Sequence, residues 1–399
     1  MLPDQKIIRK RDVLIGTGFI AAIVVLATAE RGFERAAAQD RSGLVAPRFE
    51  VDPLWPKPLP NNWVLGQVIG LTVDARDHVW IVHRANLLPA NEAAADQKPP
   101  VASCCSAAPP VLEFDPAGNV VNHWGGPGDG YDWPESNHGI FIDHKENVWI
   151  GGNVGTDAHV LKFTRRGKFL AQYGRKGRNT GSNDLENFGR AAKVFVDAKT
   201  NEAYIADGYR NRRVVVIDAD TGKFKRYWGA YGNKPDDKDI GRYDPTAPPA
   251  QQFRTPVHCA DLSNDGLLYV CDRPNDRLQV FKADGTFVKE VFIARNTLGD
   301  GSTWDVAFSR DPQQKYLYLA DGKNEKVYIL QRDTLQILTS FGDGGRQPGQ
   351  FFAVHSIATD SKENLYTTET YEGRRLQKFV YKGIGPVTKL DQGTVWPTK

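Results

Sequence analysis

The chain has 399 residues, enough for one large domain or two smaller ones, and 40% of them are hydrophobic, which allows a sizeable core. Its formal net charge is only +3, so the composition does not provide the strongly basic face that nucleic-acid binding requires. Glycine (38 residues) and aromatic residues (11%) are abundant, whereas methionine occurs once. This composition is typical of short strands and tight turns rather than of helical bundles.

Residues 1–38 have the three parts of an export signal: a basic start, an apolar stretch and small residues at the end. The run Ala36-Ala37-Ala38 fits a cleavage site before Gln39. The stretch RKRDVLIGTG resembles a twin-arginine signal with Lys10-Arg11 in place of the arginine pair. We therefore expect an exported protein, periplasmic or secreted, with no stable membrane insertion after cleavage. The alternative is an uncleaved anchor, because the stretch VLIGTGFIAAIVVLATA is almost long enough to span a bilayer.

Export implies an oxidising compartment, in which disulfides persist. The four cysteines, which allow three pairings, are Cys104, Cys105, Cys259 and Cys271. Cys259 and Cys271 lie nearly opposite each other on two neighbouring predicted strands and can pair. The adjacent Cys104 and Cys105 fit two surface thiols, one strained bridge or, as a third alternative, metal ligation.

A strand–turn–strand pattern recurs six times along the chain. In each copy an apolar strand is followed by a turn rich in Asp, Asn and Gly and by a second strand of aromatic and aliphatic residues. The copies are IGLTVDARDHVWIVHR, HGIFIDHKENVWIGGN, AKVFVDAKTNEAYIADGYRNR, HCADLSNDGLLYVCDRPNDR, WDVAFSRDPQQKYLYLADGKNEK and HSIATDSKENLYTTETYEGR. A third strand follows each copy, and a fourth strand follows the first five. This pattern predicts an all-β, six-bladed β-propeller with four-stranded antiparallel blades.

The sixth unit ends early, at LQKFVYKG, and lacks an outer strand. The N-terminal segment PRFEVDPLWP, residues 47–56, can supply that strand, which closes the ring and covers two sheet edges. We therefore predict a single propeller domain over residues 39–399, and a monomer. The alternative architectures are a β-sandwich and an open array of hairpins. Blade one carries an insertion at residues 85–110, which forms either a lid or an irregular loop.

Three histidines occupy the same position of the repeat. The units are aligned on the residue that ends each first strand, namely Asp74, Asp143, Asp197, Ser263, Ser309 and Asp360. Five residues earlier stand Ile69, His138, Ala192, His258, Trp304 and His355. The innermost strand of each propeller blade lines the central channel, so these positions form a ring at one height. The histidines fall in alternate blades and are therefore expected to converge.

Converging neutral imidazoles with an open fourth position are the arrangement of a catalytic zinc site. We therefore predict that His138, His258 and His355 bind Zn²⁺. The alternative is that they are polar residues lining the channel without a metal. The chain has only eight histidines, so three in strict alternation at one repeat position are hard to obtain by chance.

Several polar residues lie where the second strands end, at one mouth of the predicted channel. Arg84 ends IVHR, Tyr209 stands in ADGYRNR and Arg273 stands in CDRPNDR. An arginine beside a metal suggests recognition of a carboxylate by the planar guanidinium. A tyrosine beside a cation and an arginine is suited to act as a general base. Other residues of these loops are interpreted as turn caps and structural ion pairs, namely Asp207, Asn211, Arg213, Asp272, Asn275 and Arg277.

These motifs resemble those of NHL propellers and, more narrowly, of peptidyl-α-hydroxyglycine α-amidating lyase, over roughly residues 60–380. The resemblance is carried by IVHR, NHGIFID, IADGYRNRRVVVID, TPVHCADLSNDGLLYVCDRPNDRLQVF and FAVHSIATD. It implies that the three in-phase histidines hold zinc and that Tyr209 is the catalytic base. It also implies that Arg84 and Arg273 contact the substrate and position the tyrosine.

Two positions depart from that family. Its third histidine is usually followed by an aspartate that helps to hold a structural calcium, whereas Ser356 follows His355 here. A hydroxyl cannot replace that charge, which argues against Ca²⁺ at this position. The family also has methionine two residues before this histidine, where the chain has Ala353. Because both positions border the site, the substrate can differ from a peptide.

The chemistry that the resemblance implies is cleavage of a carbinolamide. The C–N bond of an N-acyl-α-hydroxyglycine breaks to give an amide and glyoxylate, so the expected partner is a small-molecule or peptide-derived substrate with a carboxylate. Two other functions stay open. One is metal-dependent hydrolysis of a lactone or ester, which other six-bladed propellers perform with carboxylates and Asn around calcium. The other is a non-enzymatic binding module with a structural metal, for which four protein ligands are expected.

Overall fold

Six four-stranded antiparallel sheets form most of residues 43–397, the part of the chain that the computed structural model describes. The inner strands of successive sheets contact one another in a closed ring, from the first blade to the sixth and back to the first. The predicted all-β, six-bladed propeller is confirmed. The predicted export signal at residues 1–38 lies outside the described residues. Within residues 43–397, no helix is long and apolar enough to cross a membrane.

The strands and the short 3₁₀ helices (η) are numbered in chain order. The strands are β1 (Val45–Asp52), β2 (Trp63–Val64), β3 (Gln67–Val73), β4 (Val79–Arg84), β5 (Ser106–Ala107), β6 (Val111–Phe114), β7 (Val120–Trp124), β8 (Asn137–Ile142), β9 (Asn147–Gly152), β10 (His159–Thr164), β11 (Phe169–Gly174), β12 (Ala191–Asp197), β13 (Glu202–Asp207), β14 (Arg213–Asp218), β15 (Phe224–Trp228), β16 (Val257–Leu262), β17 (Leu267–Asp272), β18 (Arg277–Lys282), β19 (Phe287–Phe292), β20 (Asp305–Phe308), β21 (Tyr316–Asp321), β22 (Lys326–Gln331), β23 (Gln336–Phe341), β24 (Val354–Thr359), β25 (Leu365–Glu369) and β26 (Leu376–Pro386). The 3₁₀ helices are η1 (Pro60–Asn62), η2 (Ala85–Leu87), η3 (Ala230–Gly232) and η4 (Arg273–Asn275).

The blades follow the chain, and each runs from an inner strand at the channel to an outer strand at the rim. Blade one is β3-β4-β6-β7, and blades two to five are β8 to β11, β12 to β15, β16 to β19 and β20 to β23. Blade six is β24-β25-β26-β1, so its outer strand comes from the N-terminal side of the propeller.

The N-terminal strand closes the ring, as predicted. Strand β1 pairs antiparallel with β26, from Val45 opposite Pro386 to Asp52 opposite Lys378. It ends four residues earlier than the predicted segment 47–56. Pro53 follows directly and has no N–H to donate to a sheet. The side chain of Asp52 then accepts the N–H of Leu54 at 3.1 Å, which turns the chain away.

A carboxylate at the end of the inner strand shapes the turn to the second strand. Asp143 Oδ1 accepts the backbone N–H groups of Lys145 and Asn147 at 2.9 and 2.8 Å, and its Oδ2 accepts Trp149 Nε1 at 2.9 Å. Asp74 makes the same three bonds in blade one. Because these bonds are local, each short turn fixes the register of its hairpin.

One large aromatic ring is completely buried in the second strand of each blade. These rings are Trp80, Trp149, Tyr204, Tyr269, Tyr318 and Tyr366, each at most 1% exposed. Full burial of a large apolar side chain contributes about 1.5–3 kcal/mol. The repeated rings therefore pack the sheets against one another and hold the inner strands at the channel.

The insertion of blade one is tied to its neighbours. It lies between β4 and β6, and its strand β5 pairs in parallel with β2. Glu92 of the insertion forms an ion pair with Arg374 of blade six. Cys104 and Cys105 form a disulfide within the insertion. A second disulfide joins Cys259 and Cys271, which are directly paired residues of β16 and β17.

Candidate metal centre at the mouth of the channel

β-Bulges occur where the inner strands carry the ring of in-phase residues. The pairing register shifts at this position in five blades, between Val68 and Gly70, His138 and Ile140, Ala191 and Lys193, Val257 and Cys259, and Val354 and Ile357. A bulge places two residues of one strand opposite one residue of its partner and re-aims a side chain. The bulges therefore lie where the histidines turn into the channel, at the starts of β8, β16 and β24.

The structure brings the three predicted histidines together. The ring centroid of His138 lies 5.2 Å from that of His258 and 4.9 Å from that of His355, and the last two are 4.8 Å apart. One ring nitrogen of each lies within 4.8 Å of the others. All three residues are buried. The expectation that alternate blades make these rings converge therefore agrees with the geometry.

Backbone carbonyls fix the orientation of two of the rings. His138 Nδ1 lies 2.7 Å from the carbonyl oxygen of Ala192, and His258 Nδ1 lies 2.5 Å from that of Trp304. A carbonyl oxygen only accepts hydrogen bonds, so both Nδ1 atoms donate and carry the proton. Each Nε2 atom is then the one with the free lone pair, which is the arrangement of a metal-binding histidine.

The electrostatic surroundings keep these imidazoles neutral. Burial lowers the pKa of all three well below its usual value. The positive charge of Arg84 lowers the pKa of His138 further, and that of Arg273 does the same for His258. Neutral rings are the form that binds a metal ion.

The donor set fits a divalent ion that prefers nitrogen ligands. The hydroxyl oxygen of Tyr209 lies 2.9 Å from Nε2 of His138 and 3.1 Å from Nε2 of His258. A hydroxyl has one proton, so it satisfies only one of these two lone pairs. Together with the nearby ring of His355, the arrangement suits an ion such as Zn²⁺.

Arg273 borders the tyrosine. Its Nη1 donates to the hydroxyl oxygen of Tyr209 at 3.4 Å, and its guanidinium stacks 4.4 Å from the ring centre of Trp304. Asp300 lies 3.7 Å from Nη2. The Nε atom is buried and has no hydrogen-bond partner within residues 43–397. A guanidinium fixed by stacking is suited to bind a carboxylate at this mouth.

Arg84 is the second predicted arginine at this level. Its Nη1 donates to Gln67 Oε1 at 2.6 Å and its Nη2 to Asn153 Oδ1 at 2.9 Å. Its Nε is also buried without a partner in the part of the chain that the structure describes. Burial lowers its pKa, and the neighbouring Tyr209 opposes that effect. Neutral amides therefore hold Arg84 in place without neutralising its charge.

A glycine allows the loop of blade three to reach the histidines. Gly208 packs against the backbone of Val257, and a Cβ atom at this position would overlap the carbonyl of Val257. Because Val257 immediately precedes His258, this close approach brings Tyr209 over the imidazole of His258. Tyr371, at the same mouth, is 40% exposed.

The sequence identified the histidines and the tyrosine but not the groups that orient them. The sequence places Trp304 in the ring without indicating a role, yet its carbonyl accepts a hydrogen bond from His258 and its ring stacks on Arg273. Nothing in the motifs marks Gln67 or Asn153. The available signal was positional, since Asn153 directly follows a second strand, as the loop residues around Tyr209 and Arg273 do.

No protein-family model matches the chain. Over 355 residues it is 25% identical to NHL repeat-containing protein 3 of Mus musculus, which covers 84% of each chain. Over 253 residues it is 27% identical to peptidyl-glycine alpha-amidating monooxygenase A of Xenopus laevis. The matched region covers 61% of this chain and 24% of that protein. It is 32% identical over 160 residues to the Mus musculus monooxygenase, covering 39% of this chain and 14% of that one. The chain therefore spans no more than about a quarter of these monooxygenases.

Among solved structures, virginiamycin B lyase from Staphylococcus aureus superposes with a TM-score of 0.46 and 14% identity, covering 84% of this chain and 89% of that chain. The sheet topology and the repeats define the class: the protein is a six-bladed propeller whose repeats resemble those of an NHL repeat-containing protein. Within that class, the chain resembles peptidyl-α-hydroxyglycine α-amidating lyase, in agreement with its partial matches to the amidating monooxygenases.

Proposed function

We propose that the protein is an exported, zinc-dependent carbon–nitrogen lyase that cleaves an N-acyl-α-hydroxyglycine, or a related carbinolamide, into an amide and glyoxylate. One observation carries the proposal: the hydroxyl oxygen of Tyr209 contacts Nε2 of both His138 and His258 beside Arg273. A proton acceptor, neutral nitrogen ligands and a guanidinium thus share one channel mouth.

The histidines would hold the ion through their ring nitrogens. When bound, such an ion supplies Lewis-acid stabilisation of negative charge on oxygen. The remaining steps belong to side chains of this chain, which bind the substrate and move a proton.

Tyr209 is the residue placed to move the proton. Its deprotonated oxygen takes the proton of the carbinol hydroxyl, and the electrons of that O–H bond form the new C=O bond of glyoxylate. The C–N bond breaks with its electron pair on nitrogen. The nitrogen then needs one proton to become the amide, so the net proton transfer runs from hydroxyl to nitrogen. No co-reactant is consumed.

The two arginines are proposed to bind the carboxylate of the substrate. Arg273 has its guanidinium fixed by stacking on Trp304, and it donates to the oxygen of Tyr209. Arg84 is held at the same mouth by two neutral amide oxygens. Because both guanidinium groups are already fixed, they lose little side-chain freedom on binding the carboxylate. They would therefore orient the substrate as well as attract its charge.

The test combines metal analysis with an assay of glyoxylate release from a small N-acyl-α-hydroxyglycine. We expect about one zinc per chain and glyoxylate production in the parent protein. His258→Ala should lose both. His159→Ala is the matched control, because His159 is equally buried but bonds the carbonyl of Asp132 in blade two. It should keep its zinc and its activity.

Purified protein without a stoichiometric transition metal would contradict the proposal. Zinc without glyoxylate from any N-acyl-α-hydroxyglycine would favour a second candidate, a binding module with a metal in its channel. One observation supports that candidate: a relative that matches over most of the chain is named for its repeats rather than for a reaction. Release of a hydroxy acid from a lactone or ester would favour the hydrolase.

A further inference from the structure

We infer that Lys193, Asp261 and Asp305 form an ionic network that positions the histidines of the metal centre. Lys193 Nζ lies 2.6 Å from Asp305 Oδ1 and 2.9 Å from Asp261 Oδ2. The three side chains are between 2% and 12% exposed. They come from β12, β16 and β20, so the network joins the inner strands of blades three, four and five.

Two members of the network directly follow the carbonyls that orient the histidines. Lys193 follows Ala192, whose carbonyl accepts the Nδ1–H of His138. Asp305 follows Trp304, whose carbonyl accepts the Nδ1–H of His258. The ion pair between Lys193 and Asp305 therefore fixes the spacing between these two carbonyls. Blades three and five are not neighbours, so this link crosses the face of blade four.

The network also reaches the strand of the third histidine. Asp305 Oδ2 accepts the backbone N–H of Ile357 at 3.1 Å, and Ile357 lies two residues after His355. Asp305 Oδ1 additionally accepts the N–H of Val306 at 2.9 Å. One carboxylate thus contacts both Lys193 and the strand that carries His355. Moving it would disturb both Lys193, which follows the carbonyl that holds His138, and the strand that carries His355.

The cation of this network is the ammonium group of Lys193. Cys259, Asp261 and Asp305 are close enough together to hold a metal ion. However, the sulfur of Cys259 is in a disulfide and the ammonium of Lys193 already pairs with both carboxylates. Burial raises the pKa of Asp261 to about 6, and the charge of Lys193 opposes that effect. The ammonium therefore lets two carboxylates share a buried place beside the histidines.

The first test determines the tautomers of the histidines in metal-free protein. The ¹⁵N chemical shifts of the ring nitrogens in metal-free protein report which nitrogen carries the proton. The parent should show the Nδ1–H form for His138 and His258. Lys193→Met and Asp305→Asn should each shift these signals toward a mixture of the two tautomers. Asp305→Asn retains the shape of the side chain, so it decides the question if Lys193→Met does not fold.

The second test measures zinc affinity and the visible spectrum of the Co²⁺-loaded protein. This part rests on the proposed metal site. We expect both variants to bind zinc about 10–100-fold more weakly than the parent and to change the Co²⁺ spectrum. Lys162→Met is the matched control, since Lys162 is a buried lysine that donates to the carbonyl of Ala219 away from the channel. It should keep the parent tautomers, affinity and spectrum.

The outcomes separate this inference from the proposed function. Unchanged tautomers and unchanged zinc affinity in Lys193→Met and Asp305→Asn would overturn the positioning role, even if the parent releases glyoxylate. Shifted tautomers in a parent that binds no zinc would support the network while the proposed lyase fails. A change as large in Lys162→Met would also overturn the inference, because a general loss of rigidity would then explain it.

Discussion

The loops that follow the second strands of blades three and four are built on the same clamp. In blade three, Asp207 Oδ2 accepts Asn211 Nδ2 and Arg213 Nε, both at 2.8 Å. In blade four, Asp272 Oδ2 makes the corresponding bonds with an asparagine and an arginine, at 2.8 and 2.7 Å. The blade-four loop is one residue shorter, since its clamp spans residues 272–277 rather than 207–213.

The two loops differ in what they deliver to the channel. Blade three presents Tyr209, two residues after its aspartate, and blade four presents Arg273, one residue after its aspartate. The carboxylates and guanidinium groups of the clamps are completely buried and pair with each other, whereas the delivered residues, Tyr209 and Arg273, contact each other at the mouth. Stability and chemistry therefore reside in different residues of the same short loops, and each can be removed separately.

Breaking the clamps should give the largest effect. In Arg213→Met or Arg277→Met, one buried carboxylate loses its partner, which costs about 3–5 kcal/mol in the free energy of unfolding. Urea denaturation monitored by tryptophan fluorescence would measure this loss. The two variants should be destabilised to a similar extent. A loss below about 1 kcal/mol in both would show that the clamps do not carry the stability assigned to them.

Removing the delivered tyrosine should affect activity and leave the fold intact. Tyr209→Phe retains the ring and removes only the oxygen, so kcat for glyoxylate release should fall about 100-fold or more. Zinc content and the urea midpoint should stay close to those of the parent. Tyr227→Phe is a control, because Tyr227 lies at the rim and its hydroxyl bonds Asn183. Parent-like activity of Tyr209→Phe would remove the tyrosine from the mechanism.

Removing the delivered arginine should have a smaller effect. Arg273→Lys keeps the charge but loses the planar group that stacks on Trp304. We expect KM for the N-acyl-α-hydroxyglycine to rise about 10-fold, with a smaller change in kcat, because the substrate carboxylate is bound less well. Steady-state kinetics would measure both. A large fall in kcat at unchanged KM would instead show that Arg273 acts on Tyr209 and does not bind the substrate carboxylate.

The smallest effect concerns Asp276, which lies next to the blade-four clamp. Burial raises the pKa of Asp276 to about 7, and its Oδ2 has no hydrogen-bond partner among residues 43–397. The folded protein therefore binds this proton more tightly than the unfolded chain, and the parent loses stability as pH rises from about 4 to about 7. Asp276→Asn should avoid that loss and be about 1–2 kcal/mol more stable at pH 8.

Thermal unfolding of the parent and of Asp276→Asn across this pH range would measure the effect. Arg212 occupies the corresponding place in blade three, so Arg212→Gln is the control. The stability difference between Arg212→Gln and the parent should not change with pH in the same window. A constant difference for Asp276→Asn as well would contradict the assigned role of this carboxyl.

The repeat made the fold and the histidines predictable. Residues such as Asp143 set the length of each hairpin, so one alignment placed His138, His258 and His355 at the same height. The missing strand of blade six similarly pointed to the N-terminal segment. Both inferences depend on local spacing, which a sequence records directly.

The groups that hold the histidines in place were not predictable, because their positions depend on how neighbouring strands pair. The bulge at the ring position of blade three brings Lys193, the residue after the ring, to the channel as well. A strict alternation of side chains would turn that residue away. The contact between Trp304 and His258 joins two blades through a backbone carbonyl, which no residue type in the sequence signals.

The closing pair of strands has a consequence for the order of assembly. Strand β1 pairs with β26, so a segment made early must wait for one made roughly 330 residues later. His355 lies in that last blade, on the inner strand β24 of the sheet that β1 completes at its outer edge. During synthesis two histidines emerge well before their third companion, and the nitrogen triad is complete only when the two ends of the propeller meet. The proposed ion would therefore bind only to chains in which the ring has closed.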